Sequence, residues 1–290
     1  MTRFGVLAYG PKGRFHREAA VALLTIQAHA PAGSELVVLT DHPRLYQWFG
    51  NSITVDRLTP ATLAEWRGPH DDRFRPKIEA LRRLAADATA DVVLVDTDTM
   101  ARRDLTPLTD RLADGAVFLY RREYGLAAPP RKGDRSLARE IAGRTWQGIL
   151  AGPDAAMWNG GIVASSRRHR GIFDRTLAAF DDMRVATRHF AVEQLAYSIV
   201  FPAYGSIETA APWFDHYWDS TSRDRFDRAI ERFLSLAALG GVTPADARDF
   251  LRLRPIVGPL DARAPWWAKP LRKLVSGTDP DDDVSRFREP

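Results

Sequence analysis

The chain contains no cysteine, which removes disulfide bonds and thiolate metal sites from consideration. It has no run near the ~20 apolar residues that a membrane-crossing helix needs. No basic-then-apolar segment opens it in the manner of an export signal. These absences set the expectation of a cytoplasmic protein. It also lacks internal repeats and low-complexity tracts, so it is not built as a repeat array. What remains is 45% hydrophobic and 27% charged, an ordinary globular composition, and its 290 residues suffice for one large α/β domain or two smaller ones. The net charge of +4 favours anionic ligands such as nucleotides or an acidic membrane face. The basic residues are scattered and not gathered into one stripe, so nucleic acid is not an expected partner.

The chain is organised around Asp91-Val-Val-Leu-Val-Asp-Thr-Asp-Thr-Met100. Val92 to Val95 form an apolar run without alternation, the pattern of a strand buried on both faces of a mostly parallel sheet. The run stops at Asp96 and Asp98. In extended chain, residues i and i+2 point to one side, so both carboxylates can reach one point beyond the strand's carboxyl end. That end is where open α/β sheets bind ligands. Two converging carboxylates suit a hard divalent cation, Mg²⁺ or Mn²⁺, which would in turn hold phosphate oxygens. The plainer reading is that Asp and Thr end the strand because they start turns.

The flanking sequence reads as follows. Phe4 to Tyr9 is a first strand, closed by Gly10-Pro11. His16 to Ala28 is a helix, and Glu35 to Asp41 a second buried strand, which together make a βαβ unit. Ser52 to Val55 is a short third strand. Residues 74–86 form an amphipathic helix with Pro76 in its first turn and a stripe of Ile78, Leu81 and Leu84. Thr106-Pro107 reads as a cap and first turn of another helix. Gly115 to Tyr120 is a strand. Residues 124–152 read as a basic excursion loop with a helix at Ser136 to Gly143, suited to a lid. Asn159-Gly160-Gly161 reads as a turn, or a close backbone approach, between two apolar arms. Helices follow at Arg168 to Asp182, His189 to Val200 and Arg223 to Leu239, and a short one starts at Thr243-Pro244.

Taken in order, several features stand out: strands ending in Tyr9-Gly10 and in Thr40-Asp41, a helix carrying Lys77, the strand ending in Asp96-Thr97-Asp98, then Trp158-Asn159-Gly160-Gly161, Glu193-Gln194 and His216. This set resembles the metal-dependent nucleotide-sugar glycosyltransferases of the GT-A fold, in particular the glycogenin- and lipopolysaccharide-galactosyltransferase-like branch. The likeness covers residues 1–220. It departs from that branch after the core, where the His-x-x-Gly-x-x-Lys-Pro-Trp signature is missing and Asp215-His216-Tyr217-Trp218 is the nearest substitute.

The resemblance implies a GT-A-like α/β sandwich with a mostly parallel central sheet over residues 1–220, a C-terminal helical extension at 221–276, and a polar tail at 277–290. It implies that Asp96 and Asp98 bind Mn²⁺ or Mg²⁺ bridging the donor's phosphates, with His216 as a third ligand or a phosphate contact. The plain reading of His216 is a polar edge in an aromatic cluster. Lys77 is implied as a phosphate or sugar contact, with Arg73 and Arg75 as rivals, and is otherwise a solvated lysine. Tyr9 would stack on the base beside Gly10, and Asp41 would hydrogen-bond base or ribose or simply open a turn. Thr97 belongs to the same donor-site segment. Asn159 would bond a sugar hydroxyl, while Gly160 and Gly161 allow close approach. Glu193 and Gln194 would sit at the reacting centre, Glu193 as base or as electrostatic stabiliser, or else as an acid favoured in a helix's first turn.

The implied partners are a nucleoside diphosphate sugar, UDP favoured, and a carbohydrate, lipid-linked or protein acceptor. Trp266-Trp267 with Lys269, Arg272 and Lys273 suit peripheral contact with the inner face of a membrane, or packing back on the domain. A sugar-1-phosphate nucleotidyltransferase is the neighbouring alternative, with Pro11-Lys12-Gly13-Arg14 a faint echo of its phosphate loop. A non-catalytic nucleotide-sugar-binding scaffold is the other.

Overall fold

The computed structural model describes residues 1–218, residues 223, 226, 227, 229–231, 233 and 234, and residues 243–253, the last five by backbone alone. In chain order the elements are β1 (Thr2–Ala8), α1 (Gly13–His29), β2 (Glu35–Thr40), β3 (Thr54–Arg57), α2 (Pro60–Arg67), α3 (Arg75–Leu84), β4 (Asp91–Val95), β5 (Thr99–Ala101) and α4 (Thr106–Ala113). They continue with β6 (Val117–Gly125), α5 (Lys132–Ile141), β7 (Thr145–Trp146), β8 (Ile149–Leu150), β9 (Ala156–Ser165), α6 (Ile172–Ala186), α7 (Val192–Val200), β10 (Ile207–Thr209), β11 (Phe214–His216) and α8 (Pro244–Leu253).

Seven strands form the central sheet in the order β10-β6-β9-β4-β1-β2-β3. Six run the same way, and β9 runs against both of its neighbours, β4 and β6. The apolar run of β4 explains its central place. Val92 and Leu94 pack into the layer that holds α2, α3, α6 and α7. Val93 and Val95 pack into the opposite layer with α1 and α4. Each such side chain contributes about 1.5–3 kcal/mol when fully buried, so no register that exposes either face competes.

Three expectations change. Residues 124–152 are no open excursion: β6 runs on to Gly125, α5 starts at Lys132, and β7 and β8 form a small antiparallel ladder. Leu137, Ile141 and Trp146 anchor this segment in the core. Asn159-Gly160-Gly161 is not a hairpin turn but the middle of one ten-residue strand, β9. Thr106 is not the cap of α4. It lies inside the helix, and Asp104 accepts from the Thr106 N–H (3.0 Å) and hydroxyl (2.7 Å) in its place.

Beyond residue 218, Phe226 and Ile230 are helical and pack with Val21, Met100 and Tyr217. Helix α8 is tied to α1 by a bond from Arg248 to the Ala28 carbonyl. The expected membrane-facing segment, Trp266 to Lys273, and the tail at 277–290 lie outside the described residues. No helix among those described is long and apolar enough to cross a membrane.

Candidate functional site

Asp96-Thr97-Asp98 do form the turn after β4, and that turn is what gathers them with His216. The Asp96 N–H donates to the Gly161 carbonyl (2.9 Å), so β9 continues the ladder one residue past β4. Asp98 precedes β5, which pairs antiparallel with β11 and sets Thr99 opposite His216. The Tyr217 N–H closes that ribbon on the Asp98 carbonyl (3.0 Å). As a result one ligand atom from each of Asp96, Asp98 and His216 lies within 4.8 Å of the others.

The proton positions on this cluster follow from its neighbours. The Asn159 amide is oriented twice over: its Oδ1 accepts from the Gly161 N–H (2.9 Å) and its Nδ2 donates to Glu123 Oε1 (3.0 Å). His216 Nδ1 is 3.0 Å from that same Oδ1, an acceptor, so Nδ1 carries the proton. In a neutral ring Nε2 is then a bare lone pair, and it faces Asp98 Oδ1 at 3.2 Å. Two acceptors at that separation need positive charge between them, from a proton or a cation. Neighbouring ligand atoms on an octahedral ion with ~2.0–2.1 Å bonds lie about 3 Å apart. The Asp98–His216 pair has that spacing, and two carboxylates with one imidazole are a donor set that suits Mn²⁺ or Mg²⁺, with Asn159 holding the imidazole in the ligating tautomer. Burial would raise the Asp98 pKa, but Arg223, and His216 when it carries a second proton, hold it below the usual carboxylate range.

Lys77 supplies the next layer. From the first turns of α3 its ammonium donates to the Gly160 carbonyl (2.6 Å) and pairs with Asp96 Oδ1 (2.7 Å) and Glu193 Oε1 (3.4 Å). Burial works against the charge, yet Asp96 and Glu193 together hold its pKa above the ordinary lysine range. The rival cations turn elsewhere. Arg75 binds Asp181, Glu79 and the Trp66 carbonyl, and Arg73 lies over the Phe74 ring.

Glu193 is 3% exposed, behind Lys77. That position suits a partner for Lys77 better than a base reaching an acceptor hydroxyl. Burial lifts its pKa from 4.5 to about 7, with Lys77 pulling it part of the way back. The folded protein therefore keeps a proton that the unfolded chain gives up between about pH 4.5 and 7. Stability falls as pH rises across that window and levels off above it, by an amount on the order of 3 kcal/mol from this group. Glu193→Gln is expected to match the native protein near pH 5 and to melt higher than it at pH 8. Calorimetric melts at the two pH values check this, and an unchanged pH dependence would refute it.

Gln194 accepts from the Gly160 N–H through Oε1 (3.3 Å). Among the described residues its amide nitrogen has no acceptor. The two glycines differ. A Cβ on Gly161 would overlap the His216 ring, Cγ at 2.8 Å included, whereas one on Gly160 would make ordinary contact near 3.4 Å with Gln194 and Glu193.

At the end of β1 the Tyr9 hydroxyl donates to the Arg73 carbonyl (2.8 Å). Gly10 adopts a positive φ of 91°, open to glycine at no steric cost. Its N–H donates to Asp41, whose carboxylate also pairs with His42 Nδ1 (2.7 Å). His16 bonds the Gly10 carbonyl (3.0 Å) and the Tyr46 hydroxyl (3.1 Å). Asp41 thus already serves the protein, tying the turn after β1 to the end of β2.

Two residues escaped the sequence reading. Glu18 on α1 is fully buried, and Arg223 grips it with two bonds (2.9 and 2.6 Å) while reaching Asp98 Oδ2 at 3.2 Å. Thr97 Oγ1 also lies 3.4 Å from Glu18. A lone carboxylate before Ala19-Ala20-Val21-Ala22 was the signal available for Glu18. Nothing local marks Arg223.

No protein-family model and no curated protein sequence matches the chain. Solved structures do. A galactosyltransferase, LgtC, in complex with donor and acceptor sugar analogs, superposes with a TM-score of 0.53 at 16% identity, covering 86% of this chain and 100% of its own. An active-site mutant of LgtC gives 0.49 at 17% identity with the same coverages. Mouse xyloside xylosyltransferase 1, apo form, gives 0.47 at 10% identity, covering 72% of this chain and 84% of its own. The first of these shows a shared fold, the GT-A sandwich of a mostly parallel sheet between helical layers.

Proposed function

We propose that this GT-A chain is a metal-dependent glycosyltransferase. It would move a sugar from a nucleoside diphosphate donor, UDP before GDP, to a hydroxyl of a carbohydrate, lipid-linked or protein acceptor. The observation that carries this reading is the pair of facing acceptors, Asp98 Oδ1 and His216 Nε2 at 3.2 Å, beside Asp96 at the carboxyl end of β4. A bound Mn²⁺ or Mg²⁺ supplies charge stabilisation for the leaving diphosphate.

The chain's own residues account for the rest. Lys77 keeps a fixed positive charge beside Asp96 whatever the pH of the cell. Gly161 leaves the room that the His216 ring fills, and Gly160 lets Lys77, Glu193 and Gln194 close on the backbone of β9. Asn159 holds His216 through Oδ1 and is itself held by Glu123. The Gln194 amide nitrogen is a donor for a sugar or leaving-group oxygen, and an amide has no basic lone pair, so Gln194 moves no proton. The Tyr9-Gly10 turn, at the end of β1, is the platform for the nucleoside. We place the protein in the cytoplasm, where nucleotide sugars of this kind would meet it.

The test is calorimetry of UDP binding with and without Mn²⁺, on the native protein and on a variant carrying Asp96→Ala and Asp98→Ala. UDP is expected to bind only with Mn²⁺ and to lose at least about 100-fold in affinity in the variant, beyond the range of about 10- to 100-fold that loss of a ligand's outer-shell support alone costs. If neither UDP nor GDP binds the native protein under any metal condition, the reading is wrong.

A further inference from the structure

Both carboxylates of the acidic pair already face a cation that belongs to the chain. Asp96 has Lys77 at 2.7 Å, held by the Gly160 carbonyl and Glu193. Asp98 has Arg223 at 3.2 Å, held by the bidentate grip on Glu18. The two differ in how they are mounted. Lys77 comes from the first turns of α3 inside the main layer, and its ammonium is bound to backbone. Arg223 comes from beyond β11, and its guanidinium reaches across to α1. Its planar fork suits two acids at once. Phe15 lies against its other face (5.2 Å). Glu18 is fully buried, also takes Arg14 (3.1 Å), and holds Arg223 through Nε and Nη2, so only Nη1 is released if Arg223 lets go of Asp98.

We propose that Arg223 is the built-in counter-ion of Asp98, which it yields when a divalent cation binds there, and that its freed N–H groups then meet the phosphate oxygens of a nucleoside diphosphate. Glu18 is the positioning residue that keeps the guanidinium within reach of both. The proposal rests on the donor-site reading above. Electrostatics gives it a signature that loss of structure cannot imitate. A cation competing for Asp98 weakens binding of metal alone, while a cation beside the phosphates strengthens binding of the diphosphate. Removing Arg223 therefore moves the two affinities in opposite directions.

The experiment uses the full chain. Mn²⁺ binding alone is read from the loss of the free-ion electron paramagnetic resonance signal, and UDP binding at saturating Mn²⁺ is read by calorimetry. Arg223→Gln is expected to bind Mn²⁺ alone about five- to tenfold more tightly and UDP about tenfold more weakly, the latter equivalent to ~1.4 kcal/mol. Arg223→Lys keeps the charge but not the fork. It is expected to bind Mn²⁺ alone about two- to threefold more tightly than the native protein, and it serves if the glutamine variant fails to fold. Mn²⁺ affinity that stays level or falls in folded Arg223 variants overturns the proposal. So does an unchanged UDP affinity. If the native protein binds no UDP while the Mn²⁺ shift appears, the donor reading fails and the counter-ion role stands.

Discussion

Lys77→Met is expected to cost about 3 kcal/mol of stability at pH 8, a fall of roughly 6–12 °C in melting temperature for a chain of this size. The Lys77 side chain is 13% exposed, and its ammonium meets the Gly160 carbonyl, Asp96 and Glu193 within 3.4 Å. Taking it away removes the main cation from two neighbouring acids, one of them almost fully enclosed. Breaking a buried pair from one side is far costlier than replacing both partners. The loss also depends on pH. Near pH 5 Glu193 carries a proton and tolerates the missing lysine, whereas at pH 8 it must either ionise unpaired or take up a proton. Denaturation of the variant at both pH values checks this. Adding Glu193→Gln should restore part of the loss at pH 8 and little at pH 5. A melting temperature that does not move would show that Lys77 is a solvated surface residue after all.

The second large effect is expected from a single methyl group. Gly161→Ala places a carbon inside the His216 ring, so either β9 or β11 must shift. Forced overpacking of this kind costs about 1–3 kcal/mol, and here the group displaced is the imidazole that faces Asp98. The variant should lose metal affinity by about 10- to 100-fold, the range seen when a ligand's support is disturbed. Gly160→Ala is the internal control, because its new methyl meets only van der Waals contacts near 3.4 Å. Mn²⁺ binding and melting temperature measured on both variants decide the matter. Equal behaviour of the two would remove the special role of Gly161.

The central strands were legible for a simple reason. Val92 to Val95 are apolar on both faces because both faces of β4 are covered. Asp96 and Asp98 were legible because they follow it directly. The helix of Lys77 was legible too, but not the choice among Arg73, Arg75 and Lys77. That depends on helix phase, and the acids that capture Arg75 lie on α3 itself and on distant α6. β9 was half hidden, since Asn-Gly-Gly has the composition of a turn and its presence in a strand makes sense only once His216 stands against it. Glu18 and Arg223 lie 205 residues apart, and their pairing is a product of tertiary structure alone. Asp41 was read either as a contact to base or ribose or as the opening of a turn, and its bonds to the Gly10 N–H and to His42 could not be told from spacing alone.

The reversed strand has a consequence for the chain as it is made. β4 has β1 on one side and β9 on the other, and β9 is synthesised long after both. Chains emerge amino end first. Until Ser165 has left the ribosome, Val92 to Val95 lack the partner that β9 provides and present a row of unpaired backbone groups along an apolar strand, the kind of edge that templates aggregation. The long separation that lets Asn159 reach the acidic turn therefore leaves the nascent protein dependent on whatever shields that edge in the meantime.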